Sequence, residues 1–515
     1  MKTTVVIVGG GTAGWLTAGI IAAKHCSVDN SASPSTQQTE VILVESPDVK
    51  NLGVGEGTWP TMRDTLRQIG ISERVFLSCC DASFKQGSKF VGWLDEGDEY
   101  YYHPFMAPAG YGSVSLAEHW SATPKDIDFE SWVSAQGTIC EQNLAPKTPQ
   151  MSEYAFALNY GYHLNAGKFV KMLHTHCVEK LGVQYIQGHV EHVLEDKNGD
   201  ISEIVLASGQ HVAGNLFIDC SGFAAILIGK HYQIPFQSKQ HVLFNDTALA
   251  LQVDHGSEDV PIASCTVATA QKNGWIWDIS LQSRRGIGHV FSSDFSDVGQ
   301  AEDALFNYVK NDPFLAAQDI TPRKIKFTPG HRDTFWHKNC VAIGVSAGFV
   351  EPLEATALVL IEKSAEWISE QLPRDRSAMT VLANRFNLLT LQRWQEIIDF
   401  LKLHYVLTNR TDSEYWRAHQ QADSIPESLQ DALALWRSQA PGVYETNQRF
   451  ELFSSASKQY VLYGMGFHTT REQCGLAHQE ISMAKRFRNE TIHATEKLLS
   501  VLPSNRHFLS RLKKV

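Results

Sequence analysis

The first 45 residues of this chain constrain its fold more than any other part of the sequence. The stretch TTVVIVGGGTAGWLTAGIIAAK (3–24) reads as a buried β-branched strand, a glycine turn and an amphipathic helix rich in small residues. Gly9, Gly11 and Gly14 fit the G-x-G-x-x-G pattern, with a strand before it and a helix after it. The pattern therefore predicts a βαβ unit that binds the pyrophosphate of a dinucleotide at the helix N-terminus.

The second strand of this unit, VILVE, ends in Glu45, where an acid would bind ribose hydroxyls. Glu45 follows Gly14 by 31 residues (45 − 14), compared with about 20 in the usual motif. We attribute the excess to the polar stretch 27–39, which has the composition of an inserted surface loop. An acid at a strand end is often only solvated, but this context favours ribose binding.

Two later strands that end in glycines, near Gly222 and in CVAIGVSAG (340–348), are typical of the ligand edge of an α/β sheet. We expect one long cofactor to reach both the first loop and the later strand end. This expectation favours FAD, although NAD remains possible. A second G-x-G-x-x-G is missing, so a reduced flavin has to come from a partner reductase. From about residue 355 the spacing of apolar residues becomes helical.

We therefore predict an α/β fold with two parts. Residues 1–365 form a Rossmann-like FAD-binding domain with a mixed sheet, which includes the strands that face the substrate. Residues 366–515 form a mainly helical region that caps the substrate site.

Charge and hydropathy exclude several classes of protein. The net charge of −11 over 515 residues and a pI near 6.0 argue against nucleic acid, which requires a basic face. The apolar run at the start is too short for a signal peptide, and no run reaches the length of a membrane span. Nine cysteines without C-x-x-C spacing indicate neither a metal site nor a disulfide framework. We therefore expect a cytoplasmic protein.

Several motifs allow both a structural and a functional interpretation. The acids Glu351 and Glu354 precede an apolar helix, where carboxylates ordinarily act as caps. Lys85 and Lys89 lie among aromatic residues, so a desolvated amine is a candidate there. The spacing of Trp275 and Trp277 by itself favours a pair of core aromatics. GVGEGTWP (53–60) reads equally well as a tight turn or as a strap over a flavin.

Five motifs in this order, GGGTAGW, GVGEGTWP, FKQGSKFVGW, WIWDIS and EPLEATAL, resemble the flavin-dependent tryptophan halogenase family. The resemblance runs from residue 3 to at least 416. It implies an aromatic-monooxygenase-like fold that uses FADH2 from a separate flavin reductase, O2 and chloride or bromide. Hypohalous acid formed at the flavin migrates through a tunnel to a lysine and halogenates an indole-type aromatic, and the family also suggests a homodimer.

The resemblance assigns a role to individual positions. The catalytic pair is Lys85 and Glu354, and Glu354 should face Lys85. Lys89 is only a neighbour of the catalytic lysine, and Glu351 is structural. Halide binding falls to Thr356 and Ala357, and the indole is sandwiched by His103 and Phe105. Trp275 and Trp277 separate flavin from substrate. The flavin contacts are the three glycines of the first loop and the following residues: Thr12, Ala13, Glu45, Val190, Val345 and Leu358.

The sequence departs from the family pattern at several points. Ser280 replaces a proline, Ala355 a serine and Ala357 a glycine, and halide binding survives if only main-chain donors are used. The tyrosine-rich segment that grips the amino-acid end of tryptophan is not recognisable, so we expect a looser or different substrate, such as free indole; the segment 450–468 instead offers Glu451, Phe453, Tyr460 and Tyr463.

Two competing functions remain open from the sequence. Ser280 motivates an FAD-dependent monooxygenase that hydroxylates aromatics. The second competing function is that of a flavin-binding protein that catalyses no reaction. The presence of both Lys85 and Glu354 argues against this function.

Overall fold

The computed structural model describes residues 3–26, 39–48, 55–121, 127–315, 321–445, 451–470 and 478–512. The inserted loop expected at 27–39 and the first two residues of GVGEGTWP therefore lie almost entirely outside the described residues. By the density of internal contacts the chain divides into two compact units. Unit 1 contains residues 1–82, 164–239 and 328–392, and unit 2 contains residues 83–163, 240–327 and 393–515.

The strands in chain order are β1 (Thr3–Val8), β2 (Thr39–Glu45), β3 (Gly55–Gly57), β4 (Ser83–Lys85), β5 (Gly87–Val91), β6 (Tyr100–Pro104), β7 (Gly161–Asn165), β8 (Gln184–Gln187), β9 (Val190–Glu195), β10 (Ile201–Leu206), β11 (His211–Ala213), β12 (Leu216–Asp219), β13 (Phe236–Ser238), β14 (Thr247–Asp254), β15 (Thr266–Gln271), β16 (Gly274–Ser280), β17 (Arg284–Phe291), β18 (Arg323–Lys326), β19 (Gly330–Arg332), β20 (Trp336–His337), β21 (Cys340–Ala342) and β22 (Gly348–Phe349).

The α-helices are α1 (Thr12–His25), α2 (Thr61–Gln68), α3 (Glu73–Cys79), α4 (Leu116–Ser121), α5 (Phe129–Val133), α6 (Gln136–Glu141), α7 (Ala166–Glu179), α8 (Val298–Lys310), α9 (Thr356–Glu370), α10 (Arg376–Val406), α11 (Glu414–His419), α12 (Glu427–Trp436), α13 (Ser455–Gly464), α14 (His478–Val501) and α15 (Asn505–Leu512). Short 3-10 segments span Gly222–Ala224, Gly344–Ser346 and Ala422–Ser424, and a π-helical turn spans Ile226–His231.

The core of unit 1 is a six-stranded sheet in the order β20-β21-β12-β1-β2-β8. All of its pairs are parallel except the edge pair of β20 with β21. The β-branched side chains of β1 are almost fully buried, as expected for a strand that is covered on both faces. The strand order changes direction at β1, because β2 and β12 lie on opposite sides of it, and ligands of open α/β sheets bind at such a point.

Unit 2 is organised around a seven-stranded sheet in the order β18-β14-β17-β16-β15-β5-β6. Its pairs are antiparallel apart from β15 with β5. One face buries an apolar cluster from β14, β16 and β17 against α8. The strand β4 pairs antiparallel with β7 and carries Lys85.

The predicted fold class is confirmed. The first unit has the Rossmann-like sheet, and the described sheets contain both parallel and antiparallel strand pairs. In the described residues, every regular element after Phe349 is a helix. The division at residue 365 stays a prediction, since the two units are defined by compactness and not by function. Within the described ranges, the helices are too short or too polar to traverse a lipid bilayer.

Candidate active site

The loop after β1 is shaped by two glycines that tolerate no side chain. Gly9 has a φ of +122°, and a Cβ atom there would lie 2.2 Å from the carbonyl oxygen of Cys220. A Cβ on Gly14 would lie 1.8 Å from the carbonyl oxygen of Gly9. The loop and the first turn of α1 therefore pack backbone against backbone, which is the role that the sequence pattern predicts for these glycines.

The N-terminus of α1 offers main-chain donors that the helix itself does not pair. Gly11 is the N-cap, it provides no side-chain cap, and its carbonyl accepts the N–H of Trp15 at 3.1 Å. The N–H groups of Thr12, Ala13 and Gly14 have no partner inside a helix that begins here. Thr12 and Ala13 are partly exposed, so these donors and the positive end of the helix dipole suit a pyrophosphate.

Glu45 lies directly against this loop. A Cβ on Gly10 would be 2.0 Å from the carboxyl carbon of Glu45, so the Glu45 side chain lies directly over the main chain of Gly10. Burial raises the pKa of Glu45, and the nearby His174 and the hydroxyl of Tyr185 oppose that rise. His174 stacks on Trp15 with the ring centroids 4.5 Å apart. An acid in this place can accept hydrogen bonds from ribose hydroxyls.

The strand ends of the parallel sheet bring other predicted flavin contacts to the same edge. Gly344 follows β21 with a φ of +75°, and a Cβ there would lie 2.8 Å from the Cβ of Ala13. Val345 is the next residue and is partly exposed. The N–H of Gly188 donates to the carbonyl of Glu45 at 2.9 Å, two residues before Val190. These contacts fit one extended cofactor that runs from the glycine loop to the later strand end.

The turn that leads into α9 corrects one interpretation of the sequence. The N-cap of α9 is Ala355, which has no side-chain cap, and the first turn contains no acid. The interpretation of Glu351 and Glu354 as ordinary helix caps is therefore wrong. Both side chains are buried, with 2% and 4% of their surface exposed. Thr356 and Ala357 begin α9, and their N–H groups have no partner within the helix. Leu358 follows and is buried.

Lys85 lies in a rigid part of unit 2. It pairs with Gly161 across β4 and β7, and only 1% of its surface is exposed. The next residue, Gln86, is fixed by a bond from its N–H to the carbonyl of Ser264 at 2.7 Å and by one from its side chain to Leu144 at 2.8 Å. The amine of Lys85 is 5.3 Å from the ring centroid of Phe105. The structure therefore buries this lysine against an aromatic face.

The charge of Lys85 affects a neighbouring histidine. Burial, and after it the positive charge of Lys85, hold the pKa of His163 well below its usual range. Lys89 differs, because its amine pairs with Glu141 at 2.8 Å and lies over the ring of Tyr100. Of the two lysines that the sequence offered, only Lys85 has the surroundings of a desolvated amine.

The remaining predicted residues of unit 2 are aromatic. His103 is buried, with its ring 5.6 Å from that of Phe400 and 6.3 Å from that of Tyr460. Trp275 and Trp277 are buried in an edge-to-face pair at 6.4 Å. A Cβ on Gly288 would be 2.1 Å from the ring of Trp277, so Gly288 provides the space for that ring. The indole sandwich and the separation of flavin from substrate stay predictions.

Sequence reasoning missed a group of contacts around α9. The indole N–H of Trp59 donates to the carbonyl of Glu354 at 2.8 Å. The hydroxyls of Thr61 and Thr65 donate to Glu362, which is fully buried. Burial raises the pKa of this carboxyl to about 8. The one signal for these contacts in the sequence is Glu362 itself, a charged residue on the buried face of an apolar helix.

The glycine loop, the acid that crosses it and the strand order define the class of this protein as a dinucleotide-binding enzyme with a Rossmann-like sheet. The sequence profile described as "Tryptophan halogenase" matches residues 4–480, and the chain belongs to the tryptophan halogenase family. Its fold and family make it a flavin-dependent halogenating enzyme.

Known proteins resemble the chain over its whole length. The tryptophan halogenase of Shewanella frigidimarina is 44% identical and superimposes with a TM-score of 0.95 over 100% of this chain and 98% of that one. The tryptophan 7-halogenase RebH of Lentzea aerocolonigenes is 31% identical and covers 98% of both sequences. The flavin-dependent halogenase BrvH of Brevundimonas sp. BAL3 is 29% identical, with a TM-score of 0.84 over 99% of both chains.

Proposed function

We propose that this protein is an FADH2-dependent halogenase of an indole-type aromatic: tryptophan, free indole or a derivative. Chloride or bromide and O2 are its other substrates, and a separate flavin reductase supplies the reduced cofactor. The observation that carries the proposal is the buried amine of Lys85 beside the ring of Phe105. The overall reaction after oxidation of the halide combines hypohalous acid with an aromatic C–H bond and gives a halogenated ring and water.

The residues around the glycine loop would hold FAD. Its pyrophosphate would lie on the amides of Gly11 to Ala13 and its ribose would meet Glu45, while Val190, Val345 and Leu358 would contact other parts. When bound and reduced, the cofactor supplies with O2 the oxidising equivalents that convert halide into hypohalous acid. Gly9 and Gly14 support this assignment, because the absence of a Cβ lets the loop and the first turn of α1 pack closely and direct main-chain N–H groups to one place.

Lys85 would receive the hypohalous acid and present its halogen to the ring. The amine is nearly inaccessible to water and lies against an aromatic face, so it is largely desolvated. The hydrogen bonds of Gln86 fix the backbone from which the neighbouring Lys85 side chain extends. His163 stays neutral beside it, because its pKa is held low, and so adds no second charge.

Glu354 would accept the proton that the ring loses when the halogen is bound, a general-base step. Thr356 and Ala357 would bind the halide with their main-chain N–H groups at the start of α9. The methyl groups of Ala355 and Ala357 do not remove main-chain donors, so the departures from the family pattern are compatible with this role.

The segment 451–463 supports a substrate other than the amino acid tryptophan. Glu451 pairs with Lys458 at 2.8 Å, and only 4% of its side chain is exposed, so this acid is neutralised within its own unit. Phe453 stacks on Phe400 with the ring centroids 3.8 Å apart. We therefore propose that an indole without an α-ammonium group is preferred, with His103 and Phe105 contacting its ring.

One incubation tests the proposed reaction. The protein, FAD, a flavin reductase with its electron donor, bromide and either indole or tryptophan are combined, and the products are separated by mass. Brominated product supports the proposal, and a higher kcat/KM for indole supports the preferred substrate. A hydroxylated product that forms without halide would instead identify a monooxygenase, and no product with bound FAD would identify a protein without this chemistry.

The expected homodimer and the expected cytoplasmic location rest on the family resemblance and the composition of the chain. Light scattering at several protein concentrations tests the first, and fractionation of the producing cells tests the second.

A further inference from the structure

The turn before α9 adopts a backbone conformation that its residue does not favour. Ala355 has a φ of 55° and a ψ of 43°, in the left-handed region. Its N–H donates to the carbonyl of Pro352 at 3.0 Å. An alanine remains in this region only where its surroundings enforce the conformation. The peptide between Glu354 and Ala355 must therefore be held by other groups.

Trp59 makes the contact that holds this peptide. Its indole N–H donates to the carbonyl oxygen of Glu354 at 2.8 Å, and the side chain is half-buried. That carbonyl belongs to the peptide that precedes the left-handed residue. A hydrogen bond to it restricts the ψ of Glu354 and with it the direction in which the Cα–Cβ bond of Glu354 points.

Trp59 is itself fixed relative to α9. Two residues later the chain enters α2, where Thr61 donates to Glu362 at 3.1 Å and Thr65 donates to the same carboxyl group. Glu362 lies on α9 and is fully buried. The segment that contains Trp59 is therefore held at two points, by the indole bond to Glu354 just before α9 and by the threonine bonds to Glu362 within α9.

We propose that Trp59 is a positioning residue for Glu354. The proposal rests on the role of Glu354 as the base that takes the ring proton. The indole N–H does not touch the substrate; it fixes the peptide from which the carboxylate extends. Loss of this N–H should therefore lower kcat, because the carboxylate is misplaced, while KM for the aromatic substrate changes little.

The test compares Trp59→Phe with Trp336→Phe. The control removes the same kind of bond in the same unit, since the indole N–H of Trp336 donates to the carbonyl of Lys338 at 2.9 Å. For Trp59→Phe we expect kcat for bromination of indole to fall about five- to tenfold, the effect of one neutral hydrogen bond, with KM within about twofold of wild type. Trp336→Phe should leave kcat unchanged. FAD titration and thermal unfolding check that both variants fold.

A second replacement keeps the shape of the ring. Benzothienylalanine at position 59 exchanges only the N–H for sulfur, so it reports on the hydrogen bond even if Trp59→Phe does not fold. The same fall in kcat is expected. An unchanged kcat in this variant would overturn the proposal.

The Glu354→Gln background separates positioning from a general structural effect. If Trp59 acts through the carboxylate, Trp59→Phe lowers kcat in the wild type but causes no further loss in Glu354→Gln. An equal loss in both backgrounds would mean that Trp59 acts elsewhere, and the inference would be wrong. If Glu354→Gln alone keeps wild-type activity, the proposed role of Glu354 fails first, which is a separate result.

Discussion

The glycine loop of unit 1 and the lysine pocket of unit 2 are built in opposite ways. The loop is made of main chain: Gly9 and Gly14 are needed because other backbone atoms occupy the place of a Cβ. The lysine pocket is made of side chains, with Lys85 buried against Phe105 and fixed by the bonds of Gln86. A site made of main chain is specified by a short sequence pattern, whereas a site made of side chains depends on contacts between distant segments.

The largest effect on cofactor binding should come from adding one methyl group to the loop. In Gly14→Ala the new Cβ would lie 1.8 Å from the carbonyl oxygen of Gly9, so the loop must move and its amides lose their alignment. We expect FAD binding, measured by titration of the apoprotein, to be weaker by about 10- to 100-fold, which corresponds to about 1.4–2.8 kcal/mol. Gly167→Ala is the control, because its Cβ would have no neighbour nearer than 3.5 Å. Equal affinities in the two variants would contradict a backbone-built site.

The second effect concerns the stability of unit 1. The pKa of Glu362 is raised to about 8 by burial. Between pH 4.5 and 8 the carboxyl is therefore ionised in the unfolded chain but still protonated in the folded protein, and the folded state loses stability as the pH rises through this range. Glu362→Gln removes that loss and keeps a partner for the two threonines. The variant should therefore be more stable than wild type near pH 8 and differ little from it at pH 5.

Denaturant unfolding at the two pH values measures this difference. Glu366→Gln, one turn further along α9 and paired with Lys363 at 2.9 Å, is the control and should not show the same pH dependence. The difference in the free energy of unfolding between Glu362→Gln and wild type is compared at the two pH values. An equal difference at pH 8 and at pH 5 would mean that the Glu362 carboxyl is not desolvated.

Unit 2 allows the same measurement and so sharpens the comparison. Burial raises the pKa of Glu130 to about 8, and one of its oxygens accepts the N–H of Gly137 at 2.8 Å, which opposes that rise. We expect Glu130→Gln to be stabilising near pH 8 as well, but by less than Glu362→Gln. The N–H of Gly137 would then donate to a neutral amide oxygen, and this hydrogen bond is weaker than one to a carboxylate. Equal gains in the two variants would show that this main-chain bond contributes little.

The smallest effect is electrostatic. The positive charge of Lys85 contributes to the low pKa of His163, after burial. Lys85→Met should therefore raise the pKa of His163, although burial keeps it below the usual range. An NMR titration of the imidazole C–H signals measures the change. The pKa of His163 should stay unchanged in Lys89→Met, whose amine pairs with Glu141.

The parts of the fold that were predictable from the sequence are those with short-range patterns. The β-branched residues of β1, the glycine spacing and Glu45 specify the first βαβ unit, and the structure has β1, α1 and β2 in that order. The spacing of Lys85 and Lys89 does not by itself distinguish a helix from a strand. They lie in two successive strands, β4 and β5, where only the partners from other segments distinguish a buried amine from a paired one.

The contacts around α9 could not be predicted, because they join segments that are far apart in the chain. Trp59 and Glu354 are separated by 295 positions, and Thr61 and Glu362 by 301. No local pattern relates such residues. For the same reason the sequence could not show that the cap position of α9 is taken by a left-handed alanine and not by one of the two acids before the helix.

The most direct test of the account is a single turnover of Lys85→Met. The variant is loaded with reduced FAD and mixed with bromide, oxygen, indole and a phenol that traps hypobromous acid outside the protein. We predict that FAD binds and is oxidised as in wild type, since the glycine loop is intact, that bromination of indole falls by at least about 100-fold, the usual scale for loss of a catalytic group, and that bromine appears on the trap. Bromination of indole at the wild-type rate would contradict the central claim that the buried amine of Lys85 delivers the halogen.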